Sequence, residues 1–372
     1  MTTCGRPERV RILVISNLYP SPRHPAFGTF VQARVDALRA LGADVDVVAI
    51  RDPAVHHRIA AKYASLGWAA GLAAVRCRLR RHPFDIVEAH IAYPTGVVAR
   101  PVAAIVGAPL VLFAHGADVM TIPIRSGRHA RLARSTFGAA ALVVANSTFL
   151  AGEIAQRYPS VASRVRVLTP GIELGRFAAD SPAPRSGILY VGRLVPDKGV
   201  DILIRAIASL RATDSLGAGG HEIGPLTVLG DGPERATLTA LALDLGVDVD
   251  LRGDVERDAV AAAMASAAIV AVPSVYREPL GLVALEAMAS GAIVVASATG
   301  GLLETVTDGV TGVTAAPGDV DSLAVALDRA LSLATDSRAG GAMRAAARTM
   351  AQTHDVTVAA AASIAWYGTL RR

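Results

Sequence analysis

Glu278 and Glu286, with seven residues between them, are the most specific chemical feature of the chain. They lie in the run Pro273-Ser274-Val275-Tyr276-Arg277-Glu278-Pro279-Leu280-Gly281-Leu282-Val283-Ala284-Leu285-Glu286-Ala287-Met288-Ala289-Ser290-Gly291, which follows an apolar stretch and reads as a turn into a helix. Gly281 and Leu282 would stand at the helix start, where backbone N–H groups lack intrahelical acceptors and suit an anion. At about 1.5 Å of rise per residue, Glu286 falls roughly 7 Å beyond those amides. A nucleotide diphosphate on the amides would place a ribose near Glu286 and an attached sugar near Glu278. A carboxylate accepts hydrogen bonds only, which suits it to vicinal hydroxyls.

Three further segments bring chemistry to loops. Val191-Gly192-Arg193-Leu194-Val195-Pro196-Asp197-Lys198-Gly199 sits between a strand pattern and a helix pattern and carries one of only two lysines, the other being Lys62. Two cations, Arg193 and Lys198, beside a helix start suit a diphosphate. Gly28 precedes Thr29-Phe30-Val31-Gln32, whose Thr and Gln spacing predicts a capping box and a helix, with the glycine allowing close anion approach. Ala114-His115-Gly116-Ala117-Asp118 follows an apolar stretch and projects His115 from a strand end. Neither GxxxxGK[ST] nor GxGxxG occurs, which argues against a P-loop and a dinucleotide dehydrogenase. Asp44-Val45-Asp46 and Asp248-Val249-Asp250 have the D-x-D form of a metal–diphosphate motif, but both sit at strand starts and read as solvent-facing alternation. No metal is expected.

These loops need strands and helices to hold them. Residues 10–16, 45–50, 85–89, 109–114 and 141–145 read as strands, with a helix over 29–41. A Pro-rich stretch at 178–187 is the linker candidate. The alternation restarts with strands at 188–191, 226–229, 268–272 and 292–296, and helices over 200–211, 233–245, 258–267, 281–290, 319–334 and 355–370. Two runs of β/α units predict an α/β chain of two doubly wound, Rossmann-like domains facing each other across a cleft, with ligands at the carboxyl ends of the strands.

Composition sets the limits. The 372 residues are 52% hydrophobic and 19% charged, which excludes global disorder. The two cysteines, Cys4 and Cys77, are neither a disulfide framework nor a metal site, and a cytoplasmic location is expected. Uncharged windows at 135–152 and 259–276 are too polar or too weakly apolar to span a bilayer. Residues 1–182 carry a net +11 and residues 183–372 a net −6. Basic residues concentrate at 51–81 (Arg51, Arg58, Lys62, Arg76, Arg78, Arg80, Arg81), interleaved with Leu66, Trp68, Leu72 and Leu79, and again at 125–134. That pattern predicts a basic amphipathic helix facing an anionic membrane. No nucleic-acid motif accompanies the charge.

The run Gly192–Gly199, the Gly230-Asp231-Gly232 turn, Gly253, the block from Glu278 to Gly291, Gly300-Gly301-Leu302-Leu303-Glu304 and Asp308-Gly309-Val310-Thr311-Gly312 resemble the retaining family 4 glycosyltransferases of GT-B fold. Ser16-Asn17-Leu18-Tyr19-Pro20, His24-Pro25-Ala26-Phe27-Gly28-Thr29-Phe30 and His115-Gly116-Ala117-Asp118 resemble the teichuronic-acid branch. The resemblance implies that Arg193 and Lys198 bind the donor diphosphate, with Gly281 and Leu282 offering amides to the phosphates. Glu286 would hold the ribose and Glu278 the sugar hydroxyls. His115 would sit near the transferred sugar, Gly28 would face the phosphates, and backbone near Gly253–Val255 would read the base. Leu280-Gly281 stands where the family often has Phe-Gly.

The implied domains are 1–182 on the acceptor side, 183–354 binding the nucleotide sugar, and a last helix, 355–372, returning to the first. The expected activity is metal-independent, retaining transfer of a hexose-type sugar, without a cofactor, from a nucleotide-diphosphate sugar to a hydroxyl of a glycolipid or polysaccharide. It would be cytoplasmic and peripheral on the inner face of the plasma membrane. A sugar-nucleotide epimerase and a non-catalytic nucleotide-sugar-binding protein are the alternatives.

Overall fold

The computed structural model describes residues 9–25, 27–52, 59–79, 83–177, 184–214 and 223–370. The chain divides into two units, Met1–Gly171 with Val356–Arg372, and Ile172–Asp355. Of the expected linker, residues 178–183 lie outside the described residues.

The first unit holds strands β1 (Arg11–Ser16), β2 (Asp44–Ala49), β3 (Ile86–His90), β4 (Leu110–Ala114), β5 (Leu142–Ala145) and β6 (Val165–Val167). They form one sheet in the order β2-β1-β3-β4-β5-β6, with every neighbouring pair parallel. Its helices are α1 (Thr29–Ala40), α2 (Ile59–Leu79), α3 (Ala92–Val106), α4 (Ala117–Met120), α5 (Gly127–Gly138) and α6 (Thr148–Arg157). Alternate strand residues feed two cores, as the pleat requires. Leu13, Ile15, Val87 and Leu112 pack under α2, α3, α5 and α6, while Ile12, Val14, Ile86 and Val111 pack under α1.

The second unit repeats the plan with β7 (Ser186–Val191), β8 (Leu226–Leu229), β9 (Val249–Gly253), β10 (Ala267–Val272), β11 (Ile293–Ser297) and β12 (Val313–Ala315). Their order is β12-β11-β10-β7-β8-β9, again all parallel. The helices are α7 (Leu174–Phe177), α8 (Val200–Asp214), α9 (Arg235–Asp244), α10 (Arg257–Ser266), α11 (Leu282–Ala289), α12 (Leu302–Thr305), α13 (Val320–Thr335) and α14 (Ala339–Gln352). Residues of α8, α9 and α13 build one core, and residues of α7, α10, α11 and α14 the other. The last helix, α15 (Val356–Leu370), belongs to the first unit and packs beside α1.

Two local expectations are corrected. Thr29 is the first helical residue of α1, not its cap; Gly28 is the N-cap at φ +78° and has no side-chain cap bond, so there is no capping box. Lys62 and Leu66 do not lie on an exposed basic face, because they are 5% and 3% exposed on the side of α2 that packs inward. Arg58, Arg80 and Arg81 lie outside the described residues. No helix among the described residues is long and apolar enough to cross a membrane.

Candidate functional site

In the second unit the chemistry gathers on loops that leave the carboxyl ends of β7 and β10. The two loops are tied by their backbones, Val275 N–H donating to the Asp197 carbonyl at 2.9 Å. Gly199 makes that approach feasible: it sits at φ +66°, and a Cβ there would lie 2.2 Å from the Pro273 carbonyl oxygen. The Lys198 ammonium meets Glu278 Oε1 at 2.5 Å. Ser274 Oγ donates to the same oxygen at 2.6 Å, and the Tyr276 hydroxyl donates to Oε2 at 2.7 Å. Burial opposes ionisation of Glu278, but Lys198 and the two hydroxyls outweigh it and hold the carboxyl below its ordinary value. Burial, reinforced by Glu278, drives the Tyr276 hydroxyl far up, so it stays a donor.

Beyond Glu278 the chain turns into α11. Gly281 is its N-cap at φ +93°, and the Leu282 and Val283 N–H groups have no intrahelical acceptors. The turn rests on Gly300-Gly301, with Gly301 N–H donating to the Glu278 carbonyl at 2.7 Å. A Cβ on Gly301 would come within 2.2 Å of the Pro279 oxygen, so the glycine pair is a requirement of this contact. The Arg193 backbone is fixed by the Tyr190 hydroxyl at 3.0 Å, while its side chain is exposed.

Glu286 is buried inside α11 and accepts from Arg257 at 3.0 Å through Oε1. Arg257 also pairs with Glu173 at 3.1 Å. Burial raises the Glu286 carboxyl above its ordinary value, and Arg257 works against that rise. Val255, in the loop after β9, is half-buried against the α10–α11 core. Thus Lys198 and Glu278 are in contact with the α11 start close by, whereas Glu286 is engaged separately by Arg257.

In the first unit His115 follows β4 and stands against Phe30 of α1, ring centroids 4.8 Å apart, so the Gly28 end of α1 and His115 share one corner. Behind His115 runs a buried chain of polar groups. His115 Nε2 is 3.4 Å from His90 Nδ1, and His90 Nε2 is 3.2 Å from Glu88 Oε2. Arg34 bonds both Glu88 oxygens at 3.1 and 3.2 Å, and the Tyr367 hydroxyl donates to Oε1 at 2.5 Å. Burial opposes the Glu88 charge, but Arg34 and His90 overcome it and hold the carboxyl at about 2. Burial lowers His90, and burial with His90 and Arg34 lowers His115 well below its ordinary value, so both rings are neutral at pH 7. An ionised Glu88 can only accept, which places the His90 proton on Nε2 and leaves Nδ1 bare. His115 must then carry its proton on Nε2, with Nδ1 unprotonated. Asp118 pins this loop by accepting backbone N–H groups of Ala92, Gly116 and His115 at 2.7, 2.8 and 3.0 Å, and burial raises its carboxyl to about 6.

Three of the four D-x-D carboxylates are engaged by arginines. Arg11 bridges Asp44 at 2.8 Å and Asp46 at 3.6 Å, and Arg252 takes Asp250 at 2.7 Å. Sequence reasoning missed Arg257, Glu173 and the Arg34–Glu88–His90–Tyr367 chain. The Glu-x-His pair ending β3 was the one local signal, since alternate strand residues share a face.

The family described as Glycosyltransferase Family 4 matches residues 27–176, and that described as Glycosyl transferases group 1 matches residues 173–349. The chain is 34% identical over 319 residues to a D-inositol 3-phosphate glycosyltransferase of Salinispora arenicola, covering 74% of this chain and 70% of that one. It is 30% identical over 371 residues to a glycogen synthase of Mycobacterium tuberculosis, covering 86% and 85%. Its fold is similar to that of Anabaena HepE in complex with UDP and glucose, with a TM-score of 0.76, 23% identity, and coverage of 97% and 100%. Sucrose-phosphate synthase from Thermosynechococcus elongatus gives a TM-score of 0.77, 22% identity, and coverage of 97% and 99%. With both halves matched and relatives aligned along most of its length, the chain belongs to the family 4 glycosyltransferases of GT-B fold.

Proposed function

We propose that the protein is a metal-independent, retaining hexosyltransferase that carries sugar from a nucleotide diphosphate to a hydroxyl of a glycolipid or polysaccharide. The observation that carries this reading is the Lys198–Glu278 pair beside the open N-terminus of α11. A carboxylate offers about four acceptor sites. Glu278 already uses three, on Lys198, Ser274 and Tyr276, which leaves one for a sugar hydroxyl and makes it a poor nucleophile. Glu286 uses one, on Arg257, which leaves room for both hydroxyls of a ribose.

Lys198, Arg193 and the α11 amides supply the positive field for the leaving diphosphate, in place of a metal. As the bond from the anomeric carbon to the diphosphate oxygen breaks, the acceptor oxygen bonds to that carbon on the same face. The acceptor proton passes to the departing phosphate oxygen, so the configuration is retained without an enzyme-bound sugar. His115 and Gly28 act toward the sugar and phosphates as the family resemblance assigns them, and Val255 lies in the base-reading loop. HepE holds UDP, which makes uridine diphosphate sugars the first donors to try. The cationic first unit meets an anionic membrane surface on the cytoplasmic side, where a cell-envelope acceptor is presented.

Incubation with uridine, guanosine and adenosine diphosphate sugars plus a lipid acceptor, followed for free nucleoside diphosphate, tests the reading. One donor should release diphosphate in step with acceptor glycosylation. Conversion of the donor sugar without release would indicate an epimerase, and binding without turnover would indicate a non-catalytic protein.

A further inference from the structure

The outer surface of the first unit carries an arrangement that charge alone does not explain. Trp68 and Leu79 are each 79% exposed, and Leu72 and Val75 are exposed between them. An α-helix turns about 100° per residue, so Trp68, Leu72, Val75 and Leu79 fall within an arc of roughly 60° along one side of α2. Arg76 and Arg78 then lie roughly 80° to either side of that stripe. The opposite side of the helix, with Leu66, Ala70, Ala74 and Cys77, is buried against the sheet. The helix is therefore apolar on two faces, one in the core and one in solvent. Single exposed leucines are ordinary, but a stripe of four large side chains over three turns marks a contact surface.

The neighbouring helices extend it. α3 packs beside α2, and α5 beside α3. Val97 and Ile105 on α3, and Ile124 and Leu132 at α5, are exposed. Arg100, Arg128, Arg131 and Arg134 are exposed among them. From residue 53 to residue 152 the chain has eleven basic residues against three acidic ones, Asp85, Glu88 and Asp118. Glu88 and Asp118 are fully buried, and Asp85 accepts from the Arg11 backbone.

We propose that the outer face of α2, α3 and α5 is a seat for an anionic bilayer, with Trp68, Leu72, Val75 and Leu79 entering the interfacial layer and the flanking arginines meeting lipid phosphates. Charge selects this occupant. A second copy of the chain would set arginine against arginine; Asp44 and Asp46 line a pocket with Arg76, but Arg11 already pairs with both. An anionic lipid surface offers both the negative charge and the apolar layer that a cationic, tryptophan-bearing helix requires. The proposal rests on the reading of the first unit as membrane-facing and adds to it which face docks and that side chains insert.

The chain has two tryptophans, so Trp366→Phe leaves Trp68 as the sole reporter. In that background, vesicles of phosphatidylglycerol and phosphatidylcholine should shift Trp68 emission to the blue and shield it from acrylamide, and phosphatidylcholine alone should not. Replacing Arg76 and Arg78 with serine should weaken binding roughly 30-fold, from about fivefold per arginine. Leu72→Ser with Leu79→Ser should weaken it at least about tenfold by removing buried apolar area. These side chains are exposed, so the far-ultraviolet dichroism and thermal midpoint of each variant should match the parent. Adsorption with Trp68 still open to acrylamide would overturn the seat while leaving charge attraction standing. Absence of binding, or a dimer that Leu72→Ser and Leu79→Ser dissolve, would overturn it outright.

Discussion

The Lys198 ammonium lies 2.5 Å from Glu278 Oε1, and the two residues come from loops that follow different strands, β7 and β10. The cation is thus held in place before any substrate arrives, the condition under which a charge stabiliser costs no reorganisation during reaction. Lys198→Ala should lower turnover at saturating donor by at least about 100-fold. Turnover close to the parent would remove Lys198 from the chemistry.

Tyr276→Phe removes the donor to Glu278 Oε2 and little else. The loss of one charge-assisted hydrogen bond should lower kcat/KM for donor about tenfold, corresponding to about 1.5 kcal/mol. Glu278 should titrate higher in this variant, since the hydroxyl helps keep it ionised. Steady-state kinetics on donor across pH would show both effects or neither.

On the proposed reading, in which Arg193, Lys198 and the α11 amides stand in for a metal, activity should persist in excess EDTA; Asp44 and Asp46 are paired with Arg11, and Asp250 with Arg252. Turnover lost on chelation and restored by manganese would return a metal to the mechanism.

His90→Phe keeps a ring on Phe113, against which His90 stacks at 4.6 Å, but removes the acceptor that orients His115. Turnover should fall about tenfold, the cost of one hydrogen bond, with donor KM nearly unchanged. A rise in KM alone would mean that the ring only fills space.

Glu88 links the first unit to acid. Its folded carboxyl, at about 2, titrates below the ordinary 4.5, so its contribution to stability is complete above pH 4.5 and disappears as pH falls toward 2. That contribution is about 3 kcal/mol. Urea unfolding of the parent and Glu88→Gln should differ most near neutral pH and converge in acid. A constant difference would contradict the linkage.

Strand positions and the alternation of units were readable because parallel strands covered on both faces are nearly continuous apolar runs, as in VRILVIS and PLVLFA. The edge strands β6 and β12 and the helices α3 and α14 escaped the reading. Each of the two strands is only three residues long, Pro94, Gly96 and Pro101 break the helical pattern of α3, and Gly340-Gly341 weakens that of α14. The Glu278 block was legible because its chemistry is compressed into one strand-to-helix turn. Arg257 meets Glu286 from 29 residues away, and Tyr367 meets Glu88 from 279, so only folding reveals either pair. The exposed stripe of α2 was misread in part because one apolar face hides the other. Leu66 and Trp68 are two positions apart and point to opposite sides.

The return of α15 to the first unit orders events on the ribosome. The second unit is one continuous stretch, Ile172–Asp355, and has all its strands once that stretch has emerged. The first unit, though translated earlier, gains the Tyr367 hydroxyl on its Glu88–Arg34 pair only once α15 has been made. Until then a buried ion pair lacks one of its donors and the α1 side of the sheet lacks its partner helix. The half of the protein made first is therefore the half completed last, and the nascent chain carries an unfinished amino-terminal half throughout synthesis of the rest.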